Sequence, residues 1–167
     1  MIPFAPGNAD QLSLAARFVE GPYIAAPEKA EQRLADWLAE LEPEPAAALA
    51  RLLDYPFARR VLLGIAEFSP YLFDLVRSDA ARLVRLLHCE PDQHLAALIE
   101  TISGEVFAAS GEADVMRLLR RMKSEAALLT ALCDIGGVWP VMRVTAALTE
   151  LATVSVQLAL HYLLRQE

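Results

Sequence analysis

Residues 118–164, LLRRMKSEAALLTALCDIGGVWPVMRVTAALTELATVSVQLALHYLL, decide the fold. A helix with an apolar face and a basic flank runs up to Asp134. Gly136 and Gly137 break it, because glycine adopts the backbone angles that end a helix at no steric cost. Trp139-Pro140 opens a second helix, which is apolar almost all round. A helix of that kind needs cover on every side. The chain reaches Glu167 without an element to supply the cover. The expectation is therefore a helical piece of something larger, whose last helix folds back on its own bundle or joins two copies.

The same alphabet holds along the rest of the chain. Leu and Ala dominate, both helix formers, and no period-two alternation occurs. Residues 1–27 contain Pro3, Pro6, Pro22 and Pro27. They read as an extended arm with one short helix around Gln11–Phe18. A helical domain follows from 28 to 167. Its first helix spans about Glu28–Leu41, with Leu34, Trp37, Leu38 and Leu41 on one face, and Glu42-Pro43-Glu44-Pro45 ends it. The next is expected at Ala46–Leu53, and another at Phe57–Glu67 after the Tyr55-Pro56 break. Ser69-Pro70 is a start signal, with Ser as cap and Pro in the first turn. Ser78 or Asp79 caps AARLVRLLH, and Pro91 opens a helix with Leu95, Leu98, Ile99 and Ile102 inward. The fold class is all-α. The architecture is an irregular bundle of about eight or nine helices, ending in two long antiparallel ones.

Composition bounds the function. The 167 residues suit one domain with a sizeable core. Apolar residues make up 55% and mean hydropathy is +0.31, so either the core is large or apolar surface is reserved for a partner. Net charge is −7, which disfavours nucleic acid as a partner. Cys89 and Cys133 are too few for a disulfide framework and read as reduced core thiols of a cytoplasmic protein. The first residues, MIPFAPGNADQ, lack the basic and apolar regions of a signal peptide. Ala146–Leu164 is long enough to span a bilayer, but Glu150 near its centre is costly in lipid. A buried helix, with no membrane partner, is the reading of that run.

Signals for chemistry are sparse. His88, Cys89 and His94 straddle Pro91 and fall short of the four ligands a structural zinc site needs, so they read as a solvated turn. His161 reads as a core or interface histidine. No phosphate loop and no catalytic triad is visible, and no catalytic, cofactor-binding or metal-binding residue is assigned. The candidate docking residues are Arg117, Arg120, Arg121 and Lys123, a basic cluster in an acidic chain. Arg117, Arg120, Arg121 and Ser124 share one broad helical face. Such a face either pairs with Glu112, Asp114 or Glu125, or docks on an acidic or phosphate-bearing surface. Arg59-Arg60 reads as surface.

The stretch quoted above resembles the helical segment ahead of the first catalytic domain in the glutamine-synthetase adenylyltransferase/adenylyl-removing enzyme family. The residues that carry the resemblance are Leu119, Arg120, Arg121, Lys123, Ala127, Leu128, Leu129, Ala131, Asp134 and Ile135. Gly136–Trp139 match the turn, and Thr145–Leu148 match the start of the next helix. A second, weaker likeness is LLGIAEFSPYLFDLVRSDAARLVRLL, from Leu62 to Leu87. The resemblance implies a large two-headed nucleotidyltransferase as the parent. One head moves AMP from ATP to a tyrosine of glutamine synthetase, and the other removes it by phosphorolysis. ATP and magnesium serve the parent's catalytic domains, whose Asp-x-Asp signature this chain lacks. The resemblance thus implies a non-catalytic piece that carries no cofactor. Its implied partners are the remainder of the parent enzyme, glutamine synthetase and a PII-type regulator. The last helix is then expected to pack on the missing catalytic domain. The alternative is a freestanding helical interaction module with no activity.

Overall fold

The computed structural model describes residues 13–165. Nine helices and no strands occur among them. They are α1 (Leu14–Arg17), α2 (Pro27–Ala39), α3 (Pro43–Leu52), α4 (Ala58–Phe68), α5 (Pro70–Ser78), α6 (Ala80–His88), α7 (Pro91–Ala108), α8 (Glu112–Ile135) and α9 (Val141–Leu164). The all-α expectation holds.

Short helices α2–α6 form one part of the bundle, where α2 packs on α4, α3 on α6, and α5 on both α4 and α6. The long helices α7, α8 and α9 form the other, and each touches the other two. Contact between α5 and α8 joins the parts, and α1 rests on α6. One hydrophobic core runs through both, from Leu34 and Leu49 to Leu129 and Leu158.

Caps set the boundaries. Ser69 ends α4 and begins α5, and its hydroxyl accepts from the Leu72 N–H at 3.3 Å. Asp79 does the same between α5 and α6, accepting from the Arg82 N–H at 2.8 Å. Each cap satisfies an amide that the first turn leaves unpaired. At the other end of α5, the Arg82 guanidinium donates to the Leu75 carbonyl and to the Ser78 hydroxyl at 3.0 Å. Glu67 works across the fold. Its two carboxylate oxygens accept from the N–H groups of Ala25 and Ala26 at 3.0 and 2.7 Å, at the start of α2.

Helix α2 ends at Ala39, two residues before the predicted Leu41, and the start of α3 also differs from the expectation. Helix α3 starts at Pro43, three residues before the predicted Ala46. Pro43 and Pro45 both lie in its first turn. Amides there have no partner within the helix, so proline costs nothing and its fixed φ suits the helix. The Pro pair therefore starts α3 after a connection of three residues from the end of α2 at Ala39.

Of the expected short helix at Gln11–Phe18, the part from Ser13 onward is described, and Leu14–Arg17 is helical. The path from Ser13 to Tyr23 lies on the bundle and contributes to the core. Leu14, Ala15 and Phe18 are buried. The Leu14 N–H donates to the Cys89 carbonyl at 2.9 Å, and the Val19 N–H donates to the Gly136 carbonyl at 3.0 Å. This segment thereby ties the α6–α7 turn to the α8–α9 turn. Two glycines make room for it. A Cβ on Gly64 would lie 2.1 Å from a ring carbon of Pro22, and one on Gly136 would lie 2.1 Å from Cδ1 of Phe18.

Gly136→Ala forces the buried Phe18 ring to move. It should lower stability by about 1–3 kcal/mol, the usual cost of overpacking. Gly104 lies inside α7 with nothing within 4 Å of an added Cβ. Gly104→Ala should raise stability by about 0.5–1 kcal/mol through helix propensity. Urea midpoints of the two variants against the parent chain check both signs.

Candidate interaction faces of the last helices

The front half of helix α8 buries one face, through Val115, Leu118 and Met122, and its back half is enclosed. From Glu125 to Cys133, the residues Glu125, Ala126, Leu128, Leu129, Thr130, Leu132 and Cys133 are buried. Burial pushes the Cys89 thiol up to about 12 and raises the Cys133 thiol as well, so both are poor nucleophiles. Cys89 Sγ also donates to the Leu86 carbonyl, at 3.2 Å.

Glu125 is the one acid in this enclosed half of α8. Its Oε1 lies 2.8 Å from Nε2 of His94 on α7, and its Oε2 lies 3.7 Å from the Arg85 guanidinium on α6. An ionised carboxylate only accepts, so the His94 ring nitrogen is the donor. This hydrogen bond is the main reason that the Glu125 carboxyl is held below its ordinary value of 4.5, and it outweighs the opposing effect of burial. The three side chains lock α6, α7 and α8 together.

A second lock holds the start of α9. Asp92, in the first turn of α7, accepts from the Trp139 indole N–H at 3.3 Å and from Arg143 Nε at 2.7 Å. The Arg143 guanidinium also lies over the Trp139 ring, 4.4 Å from its centroid. The turn before it is tight. The N–H groups of Val138 and Trp139 both donate to the Cys133 carbonyl, and Gly137 sits at φ 66°. That backbone angle is one that glycine adopts without the steric cost of a Cβ. Glu90 adds a third tie, capping α7 through the Gln93 N–H and pairing with Arg17 at 2.8 Å.

The expected docking cluster lies on the exposed front of α8, and its four members differ. Arg117 pairs with Asp114 at 3.0 Å, and Arg121 lies 3.6 Å from Glu105 on α7. Among the described residues, Arg120 and Lys123 have no ion pair and are exposed. The expected pairing with Glu125 goes instead to His94 and Arg85. His88 is exposed, so the three residues His88, Cys89 and His94 are each otherwise occupied or apart. Among the described residues, no group of three or more His, Cys, Asp or Glu side chains is placed to hold a metal ion.

Helix α9 departs most from the reading of its sequence. Its inner face is buried through Ala147, Leu151, Leu158 and Tyr162. Its outer face is open: Met142 is 76% exposed, Val156 66%, Leu160 53% and Leu163 60%. It is long and apolar enough by length and composition to cross a membrane, yet only 17% of its most apolar window is buried. The reason is geometric. The α7–α8 pair offers α9 one groove, and a helix lying in one groove covers one face. His161 is exposed too. It meets the ring of Phe107 edge-on, with centroids 4.6 Å apart, so the core reading of this histidine does not hold. Periodicity gave no sign of Asp92, Glu125, Trp139 or Arg143 as a network, because their partners lie 31 to 51 positions apart in sequence.

Comparison with known proteins adds a specific result. The family model described as Glutamate-ammonia ligase adenylyltransferase matches residues 59–167. Similar curated proteins are bifunctional glutamine synthetase adenylyltransferase/adenylyl-removing enzymes. That of Bradyrhizobium diazoefficiens is 69% identical over 98% of this chain and 17% of its own length. That of Rhodopseudomonas palustris strain HaA2 is 57% identical over 93% and 16%. That of Xanthobacter autotrophicus is 48% identical over 97% and 16%. The chain thus spans about one sixth of the curated relatives it matches. No solved structure matches it.

Two variants separate the roles of these charges. Glu125→Gln should cost about 1.5–3 kcal/mol at pH 7, the usual worth of a hydrogen bond to a charged group. The depressed carboxyl stabilises the fold above its unfolded value and loses that effect as pH falls through the folded one. The stability difference between the parent and Glu125→Gln should therefore shrink as pH falls below 4.5. The double variant Arg120→Glu/Lys123→Glu breaks no ion pair and should shift stability by less than about 0.5 kcal/mol. Urea titrations from pH 3 to 8 read both.

Proposed function

The chain belongs to the glutamate-ammonia ligase adenylyltransferase family, and from that premise we propose that it is the non-catalytic helical part of such an enzyme. The work of that enzyme is to attach AMP to glutamine synthetase and to remove it. The observation that carries the proposal is the pairing of a long family match with an unfinished surface. Residues 59–167 match the family, and α9, inside that match, leaves its outer apolar face uncovered.

In this reading the bundle is a scaffold. Glu125 ties α6 and α7 to α8, and Asp92 ties α7 to the start of α9. ATP and magnesium bind in the catalytic domains of the parent enzyme. The described residues have no acidic cluster for a metal, so no step of AMP transfer is assigned to them. The free cations Arg120 and Lys123 form the face offered to an acidic partner, either glutamine synthetase or a PII-type regulator. The setting is cytoplasmic, with Cys89 and Cys133 as reduced thiols. Protein, rather than lipid, covers α9, since Glu150 and Gln157 border its outer face.

The test uses purified chain with glutamine synthetase, magnesium and ATP labelled in the α-phosphate. No label should enter glutamine synthetase, and phosphate should release no ADP from its adenylylated form. The same 167 residues, replacing the matching stretch of the Bradyrhizobium diazoefficiens relative, should support both activities. Label that rises with the amount of isolated chain would contradict the proposal. So would a soluble full-length chimera that lacks both activities.

A further inference from the structure

We infer that the outer face of α9 is an internal interface of the whole enzyme, covered by an apolar segment that places a lysine or arginine against Glu150. The inference rests on the proposed function and adds the surface, its occupant and the occupant's chemistry.

The face is defined by helical geometry. At 3.6 residues per turn, Met142, Thr145, Ala146, Thr149, Thr153, Val156, Leu160 and Leu163 share the side opposite Leu151 and Leu158. From Met142 to Leu163 the strip is about 32 Å long at 1.5 Å per residue. A continuous exposed apolar strip of this length marks an interaction site on a soluble domain. Two of its three threonine hydroxyls are already satisfied. The Thr145 hydroxyl donates to the Val141 carbonyl at 3.0 Å, and the Thr149 hydroxyl donates to the Thr145 carbonyl at 2.9 Å. With the hydroxyls engaged by the backbone, these threonines add apolar bulk to the strip and little unmet polarity. A partner that covers the strip then has one threonine hydroxyl, that of Thr153, left to meet.

A shallow groove runs along one edge of the strip, lined by Met142, Thr145, Ala146, Thr149, Glu150 and Thr153. Glu150 is its only charge, and among the described residues it has no ion pair. A partner that covers this groove must neutralise that carboxylate or leave it unpaired at a dry edge. This requirement selects the occupant. A second copy of the strip brings no lysine or arginine of its own: Arg143 and Arg165 flank it and are held by Asp92 and the Phe107 carbonyl, and the unpaired Arg120 and Lys123 lie on α8. More than four fifths of each relative lies outside the matched region, so the relatives carry ample polypeptide to supply both the apolar cover and the cation.

Cysteine labelling tests the inference. Val156→Cys is placed in the 167-residue chain and in the full-length chimera described above. Labelling is followed by peptide mass spectrometry. In the isolated chain the thiol should react at the rate of an exposed cysteine, whatever the protein concentration. In the chimera it should react at least tenfold more slowly. Hydrogen exchange of residues 142–160 in the chimera without the cysteine should slow in the same way, which guards against damage from the substitution. Adding Glu150→Lys to the chimera should restore fast labelling, while the melting temperature of the isolated chain stays unchanged. Equal rates in chain and chimera would overturn the inference. So would protection of the isolated chain that grows with its own concentration, which makes a second copy the occupant. Protection of the isolated chain by phosphatidylcholine/phosphatidylglycerol vesicles would overturn it in favour of a lipid surface. Slow labelling that survives Glu150→Lys would remove the cation from the account. None of these outcomes depends on whether the chain alone has activity.

Discussion

The back half of α8 is enclosed, and the rest of the structure is arranged by that fact. Leu128, Leu129, Leu132 and Cys133 have no exposed surface, and Ala126 has almost none. Full burial of each leucine contributes roughly 1.5–3 kcal/mol. The enclosure leaves Glu125 no access to water on most sides. An ion in that position needs partners, and His94 and Arg85 supply them from two neighbouring helices. Helices α5, α7 and α9 pack on α8. The segment from Ser13 to Tyr23 closes the end where α8 turns into α9. A small, acidic, loop-poor chain thereby acquires one continuous core.

Much of this order is legible in sequence. Ser69-Pro70 and Asp79 start helices because their side chains cap free amides, and capping is local chemistry. Gly136-Gly137 ends α8 because glycine takes the φ of 66° at Gly137 without steric cost. Leu95, Leu98 and Ile102 face inward as their spacing requires, with Ile99 at the edge. The family likeness read from Leu119 to Leu148 agrees with the family match over residues 59–167.

The remainder was hidden for physical reasons. Local pattern does not say which remote acid meets which remote base, so the Asp92–Trp139–Arg143 cluster left no trace in any window. A Pro-Glu-Pro run reads as a break, although proline in a first turn also starts a helix, as Pro43 and Pro45 do. Apolar content predicts that a helix will be covered but not by which molecule. Helix α9 is covered on one face by its own bundle and left open on the other. The same limit applies to the basic face: spacing put Arg117, Arg120, Arg121 and Lys123 together, while the folded chain pairs two of them, Arg117 with Asp114 and Arg121 with Glu105.

A chain built this way has uneven stability. Helix α8 should open only with the whole molecule, whereas the far end of α9, held on one face, should open by itself. Native-state hydrogen exchange of the isolated chain measures this directly. The account predicts that amides of residues 125–133 exchange only through global unfolding, and that amides of residues 156–164 exchange through local openings of clearly lower free energy. Equal protection of the two stretches, or weaker protection in α8, would contradict the claim that the fold is centred on α8 and leaves α9 half covered.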